Sequence, residues 1–545
     1  MVELRFIARI RWQAIKLFAT SDNGLASNRT ALLTMKMEAL SFWGRRVQLV
    51  RNLLICLALC WSGTVFAHPA LIPMPTAVSW HEGSVPVGAG TVVEGRGKAA
   101  ATAAYLAREM GLKQGGPGTS RIRLSLVPAV RIVNAEGYRL RASGDEVLIE
   151  ASDPRGLFYG AQTLRQLLSN GSVPSVDISD TPRFRWRGLL IDLGRHFFGK
   201  QTLFKIIDEM AAYKLNSLKL HLTDYEGWRI EIPAYPKLTE VGSLVDGKPE
   251  YLTTADVQDI VRYAAERHIM VVPEIEMPGH AGAAARSYPE FFNKTGDSFN
   301  PANPKTYDFI RGVLTEVARL FPAPYLDFAG DEVGDAWNGM ADVERLKAEH
   351  GLKDSTDVQA YFGRKVVGII ESLGKRPMAW DEQVEAQAPK SVIIQWWRRD
   401  RPDVLTEAAN KGHDLVISPA DQLYFDYHQG PGEPGAPWEG NKGGPQSISK
   451  MLAWEPVPAT FTAQQEAHVL GIEACVWTEF IETERYLQFM TFPRLLALAE
   501  IAWRPKGARD EAEFNARLEP HIAALRAKGI NARSGEGDAY EFITN

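Results

Sequence analysis

Three cysteines in 545 residues are too few for a disulfide framework. Basic charge is not in excess either. The 61 Lys and Arg stand against 66 Asp and Glu, a net charge of −5, which excludes a chain that grips nucleic acid by charge. Leu53 to Trp61 is an apolar run of only nine residues, where a bilayer span needs about 17–25. Repeats and low-complexity tracts are also missing. What is present is ordinary for a globular protein: 45% hydrophobic and 23% charged residues, ample for a sizeable core. The length exceeds one domain of about 100–200 residues and fits a large barrel plus a smaller domain. Fourteen Trp supply many flat apolar faces; core packing accounts for most, and flat ligands such as sugar rings for others.

The N-terminal 67 residues read as an address rather than as fold. Arg45, Arg46 and Arg51 precede the apolar run, and Val65-Phe66-Ala67 forms a small-residue cleavage site after it. A basic region, a short apolar region and an A-x-A-like end describe a secretory signal. Signals run about 15–30 residues, so Met35 or Met37 is the expected true start. Cleavage after Ala67 leaves a more acidic chain from His68, with Cys475 as its one cysteine and no stable membrane span. The expected location is periplasmic or extracellular.

Residues 68–182 read as a small α+β domain. Arg121–Val127, Tyr138–Ala142 and Val147–Ala151 alternate as strands, while Ala100–Met110 and Leu157–Leu168 have helical spacing. From 183 to 505 the rhythm becomes short apolar runs alternating with amphipathic helices. The candidate strands are Trp186–Asp192, Asn216–Leu222, Ile269–Glu276, Tyr325–Ala329, Arg376–Trp380, Ser391–Trp397, His413–Ser418 and Val469–Trp477. Helices fit at Gln201–Leu215, Thr254–Arg267, Lys305–Phe321, Thr356–Leu373, Pro402–Asn410 and Leu487–Trp503. Runs that are apolar rather than alternating fit strands buried on both faces. The fold class is therefore α/β, a (β/α)8 TIM barrel preceded by the small domain, with a helical tail over 506–545. Gln429–Gln446, rich in Gly and Pro, reads as a loop over a site.

Active sites of such barrels sit at the carboxyl ends of the strands. The unusual residues collect there: Asp192 and Arg195, His221 and Asp224, Glu274 to His280, Asp331-Glu332, Trp380-Asp381-Glu382, Trp396-Trp397, Tyr424-Phe425-Asp426 and Trp477-Thr478-Glu479. Acids and aromatics converging from eight strands describe a pocket for a polar ring, with carboxylates on hydroxyls and indoles on apolar faces.

Six motifs in order carry a family resemblance: Gly188–Phe198 (GLLIDLGRHFF), His221–Arg229 (HLTDYEGWR), Pro273–His280 (PEIEMPGH), Gly330–Glu332 (GDE), Trp380–Glu382 (WDE) and Trp477–Glu479 (WTE). The chain resembles the family 20 glycoside hydrolases, the β-N-acetylhexosaminidases. The resemblance implies exo-acting hydrolysis of terminal β-linked N-acetylglucosamine with retention, N-acetylgalactosamine being left open. It implies no cofactor and no metal; the partners are N-acetylglucosamine-containing oligosaccharides or glycoconjugates.

In this family the substrate's own 2-acetamido oxygen attacks the anomeric carbon and forms an oxazolinium ion. Adjacent acids suit that route, because neighbours on one strand are poorly placed to face each other across a sugar. By resemblance, Glu332 is the general acid and then base, its proton retained through burial and neighbouring acids. Asp331 orients the acetamido group and stabilises charge on its nitrogen. Arg195 binds sugar hydroxyls with Glu479 and Asp426. Trp380, Trp397 and Trp477 wall the acetamido pocket and floor the ring. Tyr424 holds the acetamido oxygen, and Asp224 with His280 tunes the acid's proton.

The sequence departs from the family at Tyr225-Glu226, where Asp-Gln is common, and at Glu276, where Asp is common. Tyr225 and Glu226 bear on the acid's surroundings and on leaving-group preference. Two rival readings exist. His221, Asp224, His280 and Asp331 could ligate a catalytic metal, although the first strand lacks the His-x-His pair such barrels use. A non-catalytic amino-sugar-binding protein is the other, but a binder needs neither Asp331 nor Glu332.

Overall fold

The computed structural model describes residues 68–437 and 444–534. The proposed signal segment, the central part of the Gln429–Gln446 loop and the end of the tail lie outside the described residues.

Seven strands form the first sheet: β1 (Ala77–Pro86), β2 (Thr91–Gly95), β3 (Lys113–Gln114), β4 (Ser120–Leu126), β5 (Tyr138–Ser143), β6 (Glu146–Ala151) and β7 (Ser172–Asp180), in the order β1-β7-β5-β6-β4-β2-β3. β5 buries Tyr138, Leu140 and Ala142 and turns Arg139 and Arg141 outward, the alternation that marked it in the sequence. Two helices, Ala100–Met110 and Pro154–Leu167, bury their apolar sides in the same core. The second starts where Asp153 accepts the Arg155 backbone N–H and Pro154 opens the first turn.

Eight parallel strands close the barrel. They are β8 (Trp186–Asp192), β9 (Ser217–His221), β12 (Met270–Glu274), β13 (Tyr325–Asp327), β14 (Arg376–Trp380), β15 (Ile393–Trp396), β16 (Leu415–Ile417) and β17 (Val469–Val476), each paired with the next and β17 with β8. A small hairpin, β10 (Leu244–Val245) with β11 (Lys248–Pro249), sits in the connection after β9. Two helices occupy the segment expected as the single helix Leu487–Trp503. Glu484–Thr491 and Arg494–Trp503 are separated at Pro493, whose ring removes a backbone donor and crowds the preceding turn. None of the helices among the described residues is long and apolar enough to cross a membrane.

The small sheet meets the barrel through buried charge. Arg187 on β8 donates to both carboxylate oxygens of Glu136 at 3.0 Å, and Lys214 pairs with Asp180 at 3.1 Å. Trp503 also donates its indole N–H to Asp180, at 2.9 Å. A tail helix, Glu511–Ala527, ties the start of the domain to the barrel: Arg517 donates to Glu500 at 2.7 Å and to the Leu71 carbonyl.

The barrel interior is not purely apolar. Lys219 on β9 is fully buried and donates to Asp327 and Gln395, with Glu274 at 3.8 Å and Glu473 at 3.6 Å. Its ammonium also lies 5.1 Å from the Trp380 ring. A charge this deep is tolerated only with such a set of partners, and here the set forms the layer directly beneath Trp380.

Candidate active site

Above that layer, at the carboxyl ends of the strands, a cavity of about 280 Å³ opens to solvent. Its aromatic side is a continuous set of rings. Trp397 and Tyr424 stack with centroids 6.2 Å apart and planes 12° from parallel, and Tyr424 meets Trp477 edge-on at 5.8 Å. Trp380 packs 5.9 Å from Trp477 but is itself buried behind it, donating its indole N–H to Glu274 at 2.8 Å. Trp380 therefore backs the cavity rather than lining it. Trp397 is fixed by an indole N–H shared between the two Glu382 oxygens at 3.2 Å each. Its neighbour Trp396 points the other way into the core and donates to the Arg401 carbonyl. Burial keeps the Tyr424 hydroxyl well above its usual range, so it remains a donor.

The opposite side is acidic. Asp331 and Glu332 follow β13 on a turn in which Ala329, Gly330 and Glu332 all have positive φ, at 59°, 84° and 48°. Two side-chain amides clamp that turn: Gln359 and Gln383 donate to the Gly330 carbonyl at 2.7 and 2.8 Å. A Cβ on residue 330 would stand 2.6 Å from the Gln383 amide, so only glycine fits. Held this way, the turn sends two neighbouring carboxyls to different environments. The Asp331 side chain is only 15% exposed, and this enclosure pushes its carboxyl up to about 6 against the pull of His280, with Glu332 and Glu274 adding to the rise. Glu332 is not buried: its side chain is 57% exposed, so the expected burial acts on Asp331 instead.

A charged chain links the acids to Arg195. Asp224 is fully buried and receives Arg195 at 3.0 Å, His221 at 2.9 Å and His280 at 3.2 Å. Burial works against its charge, yet these three cations hold the carboxyl well below the usual range. The other nitrogen of His280 lies 3.3 Å from Glu332 and 3.9 Å from Asp331. With a carboxylate at each nitrogen, His280 is held as an imidazolium, its burial notwithstanding. Arg195 also faces Asp192 at 3.4 Å and Glu479 at 3.7 Å, with its guanidinium 5.2 Å from the Trp477 ring.

Of the residues named from the sequence, Arg195, His280, Asp331, Glu332, Trp397, Tyr424, Asp426, Trp477 and Glu479 line the cavity; Asp224 and Trp380 stand behind it. Three further lining residues had not been given a sugar-binding role: His221, Glu276 and Tyr427. Tyr427 is brought to the cavity by a tight turn in which its N–H meets the Tyr424 carbonyl at 3.4 Å, its ring 6.2 Å from that of Tyr424. Buried oxygens of three lining carboxylates, Asp331 Oδ1, Glu276 Oε2 and Glu479 Oε2, accept no hydrogen bond from the protein. Buried acceptors of this kind call for a ligand rich in hydroxyl or amide donors.

Two clusters have cation-site geometry, His221 with Glu274 and Glu276, and His280 with Asp331 and Glu332. In each, the histidine faces carboxylates through both nitrogens, which favours its protonated form.

A closed (β/α)8 barrel whose pocket sets Trp397 stacked on Tyr424, with Trp477 edge-on, against paired acids defines a carbohydrate-active hydrolase. The family model for the glycosyl hydrolase family 20 catalytic domain matches residues 184–506, and that for domain 2 of the same family matches residues 68–181. The chain belongs to glycosyl hydrolase family 20. It is 37% identical over 428 residues to a β-hexosaminidase of Porphyromonas gingivalis, covering 73% of this chain and 54% of that protein. The chain thus spans about half the length of that relative. A β-N-acetylhexosaminidase of Cellulomonas fimi is 33% identical over 434 residues, covering 75% of this chain and 81% of its own length. Among solved structures, the exo β-N-acetylglucosaminidase of Vibrio harveyi in complex with N-acetylglucosamine superposes with a TM-score of 0.79 at 30% identity, over 86% of this chain and 78% of that one. The Streptomyces plicatus N-acetyl-β-hexosaminidase has a TM-score of 0.75 at 32% identity, over 86% and 97%.

Proposed function

We propose that the protein is an exo-acting β-N-acetylhexosaminidase that removes terminal non-reducing β-linked N-acetylglucosamine with retention, assisted by the substrate's acetamido group. The observation that carries this reading is the split between the two neighbouring acids. Asp331 is largely enclosed, with a buried oxygen that accepts nothing from the protein, while Glu332 reaches the open side of the cavity beside His280. In the proposed reaction the acetamido group lies between Asp331 and Tyr424, its N–H on the carboxylate and its oxygen on the Tyr424 hydroxyl. Trp397 and Trp477 close around it and exclude water. The oxygen attacks the anomeric carbon as Glu332 gives its proton to the leaving oxygen. Asp331 stabilises the positive charge that develops on the amide nitrogen. Glu332, now ionised, takes a proton from the water that opens the oxazolinium ring, which restores both the acid and the β-anomer. Arg195, Asp426 and Glu479 hold the hydroxyls of the same ring.

Export is part of the proposal and rests on the sequence of residues 45–67, the basic residues, the short apolar run and Val65-Phe66-Ala67. The catalytic proposal is tested by comparing p-nitrophenyl β-N-acetylglucosaminide with p-nitrophenyl β-glucoside. Cleavage of the first alone is expected; equal cleavage of both contradicts acetamido assistance.

A further inference from the structure

We infer that Tyr225 is a preformed platform for the leaving group, taking the C–H face of the pyranose ring released from the terminal sugar. The inference rests on the hexosaminidase reading of the cavity and extends it to the next ring of the substrate.

Tyr225 combines exposure with fixation. It is 40% exposed, one of few large apolar side chains so placed among the described residues. Its backbone is nevertheless pinned: its N–H donates to Asp224 at 2.6 Å, and Arg286 donates to its carbonyl at 2.6 Å and to that of Glu226 at 3.0 Å. The ring rests on Gly282, where an added Cβ would come within 2.9 Å of the ring carbon Cδ1. An aromatic face held in solvent by this many contacts loses little freedom when a partner stacks on it.

Its position decides which partner. The Tyr225 ring lies 5.1 Å from the His280 ring, and His280 touches Glu332. The proton donor and the platform thus share one histidine. Tyr225 does not line the 280 Å³ cavity that holds the terminal sugar. It stands outside it, against the histidine that Glu332 faces. A second ring attached through the glycosidic oxygen is the group that can reach it.

The test compares two substrates with poor leaving groups, the β-1,4-linked disaccharide of N-acetylglucosamine and methyl β-N-acetylglucosaminide, whose methyl group is too small to stack. Tyr225→Ala is expected to lower kcat/KM on the disaccharide roughly 3- to 10-fold, the range of an aromatic contact, with the methyl glycoside unchanged. Tyr225→Phe should retain the wild-type ratio, and Tyr225→Asp should behave like Tyr225→Ala. An equal fall on both substrates overturns the platform, because it places the effect on His280 and Glu332; so does no change on either. A wild-type protein that cleaves neither glycoside overturns the hexosaminidase reading itself. These outcomes separate the failure of one proposal from that of the other.

Discussion

His280 stands 3.3 Å from Glu332 through one ring nitrogen, while its other nitrogen lies 3.2 Å from a fully buried Asp224. Asp224 in turn receives Arg195, so the proton donor and the arginine assigned to sugar hydroxyls are joined through two intermediaries. Substrate bound at Arg195 and the state of the acid are therefore not independent.

Glu332→Gln removes the proton donor and leaves the pocket shape. Turnover on the disaccharide should fall about 10²–10⁴-fold, the usual contribution of general acid–base catalysis. A p-nitrophenyl glycoside, whose leaving group needs little protonation, should lose less in bond cleavage. Equal losses on both would move the acid elsewhere.

Asp331→Asn should separate activity from stability. Loss of a preorganised charge at the developing cation costs on the order of 10²–10³ in kcat, here on every substrate, because all use the acetamido group. The carboxyl is raised to about 6 in the fold from near 4 in the unfolded chain. A raised acid favours the folded state below about pH 4 and costs stability as pH rises through 6. The Asn variant should therefore be more stable than wild type at pH 7.5, by on the order of 1–3 kcal/mol in urea unfolding, with the gain gone below pH 4. A variant less stable at pH 7.5 would contradict the buried charge.

His280→Gln tests the imidazolium. His280 lowers the Asp331 carboxyl, and kcat/KM requires that carboxyl ionised, so wild-type activity should rise with pH through about 6. Without the cation the same limb should move to higher pH, by one unit or more. An unmoved limb would mean that His280 is neutral or that Asp331 is not the group titrating.

Trp396 and Trp397 are adjacent and should fail differently. Trp397→Ala should lower kcat/KM with little change in unfolding, since its ring faces the cavity. Trp396→Ala empties core volume and should cost about 3–5 kcal/mol of stability, with kinetic constants nearly intact in the folded fraction.

The barrel was legible because parallel strands buried on both faces write themselves as short apolar runs; Trp186–Asp192 is the same in sequence and structure. The residues at the strand ends were legible for a related reason, since acids and indoles are out of place beside such runs. Lys219, Glu274 and Glu473 were not read as barrel interior, because a buried charge shows only through the partners that long-range folding brings to it. β1 escaped because it is an edge strand, largely exposed, with a register shift between Trp80 and Ser84 that breaks alternation. β7 carries Pro174, which reads against a strand, although Val173, Val176 and Ile178 are buried. The exposure of Glu332 was hidden for another reason: a positive φ at a glutamate is set by the clamp on Gly330, which lies far off in sequence at Gln359 and Gln383.

The central claim is that the attacking oxygen belongs to the substrate. Replacing the acetamido methyl hydrogens by fluorine, stepwise from acetyl to trifluoroacetyl, weakens that oxygen as a nucleophile and leaves the glycosidic bond in place. The measurement is kcat/KM across this series of p-nitrophenyl glycosides. Acetamido assistance gives a steep fall with each fluorine; a flat series would place the nucleophile on the protein and contradict it.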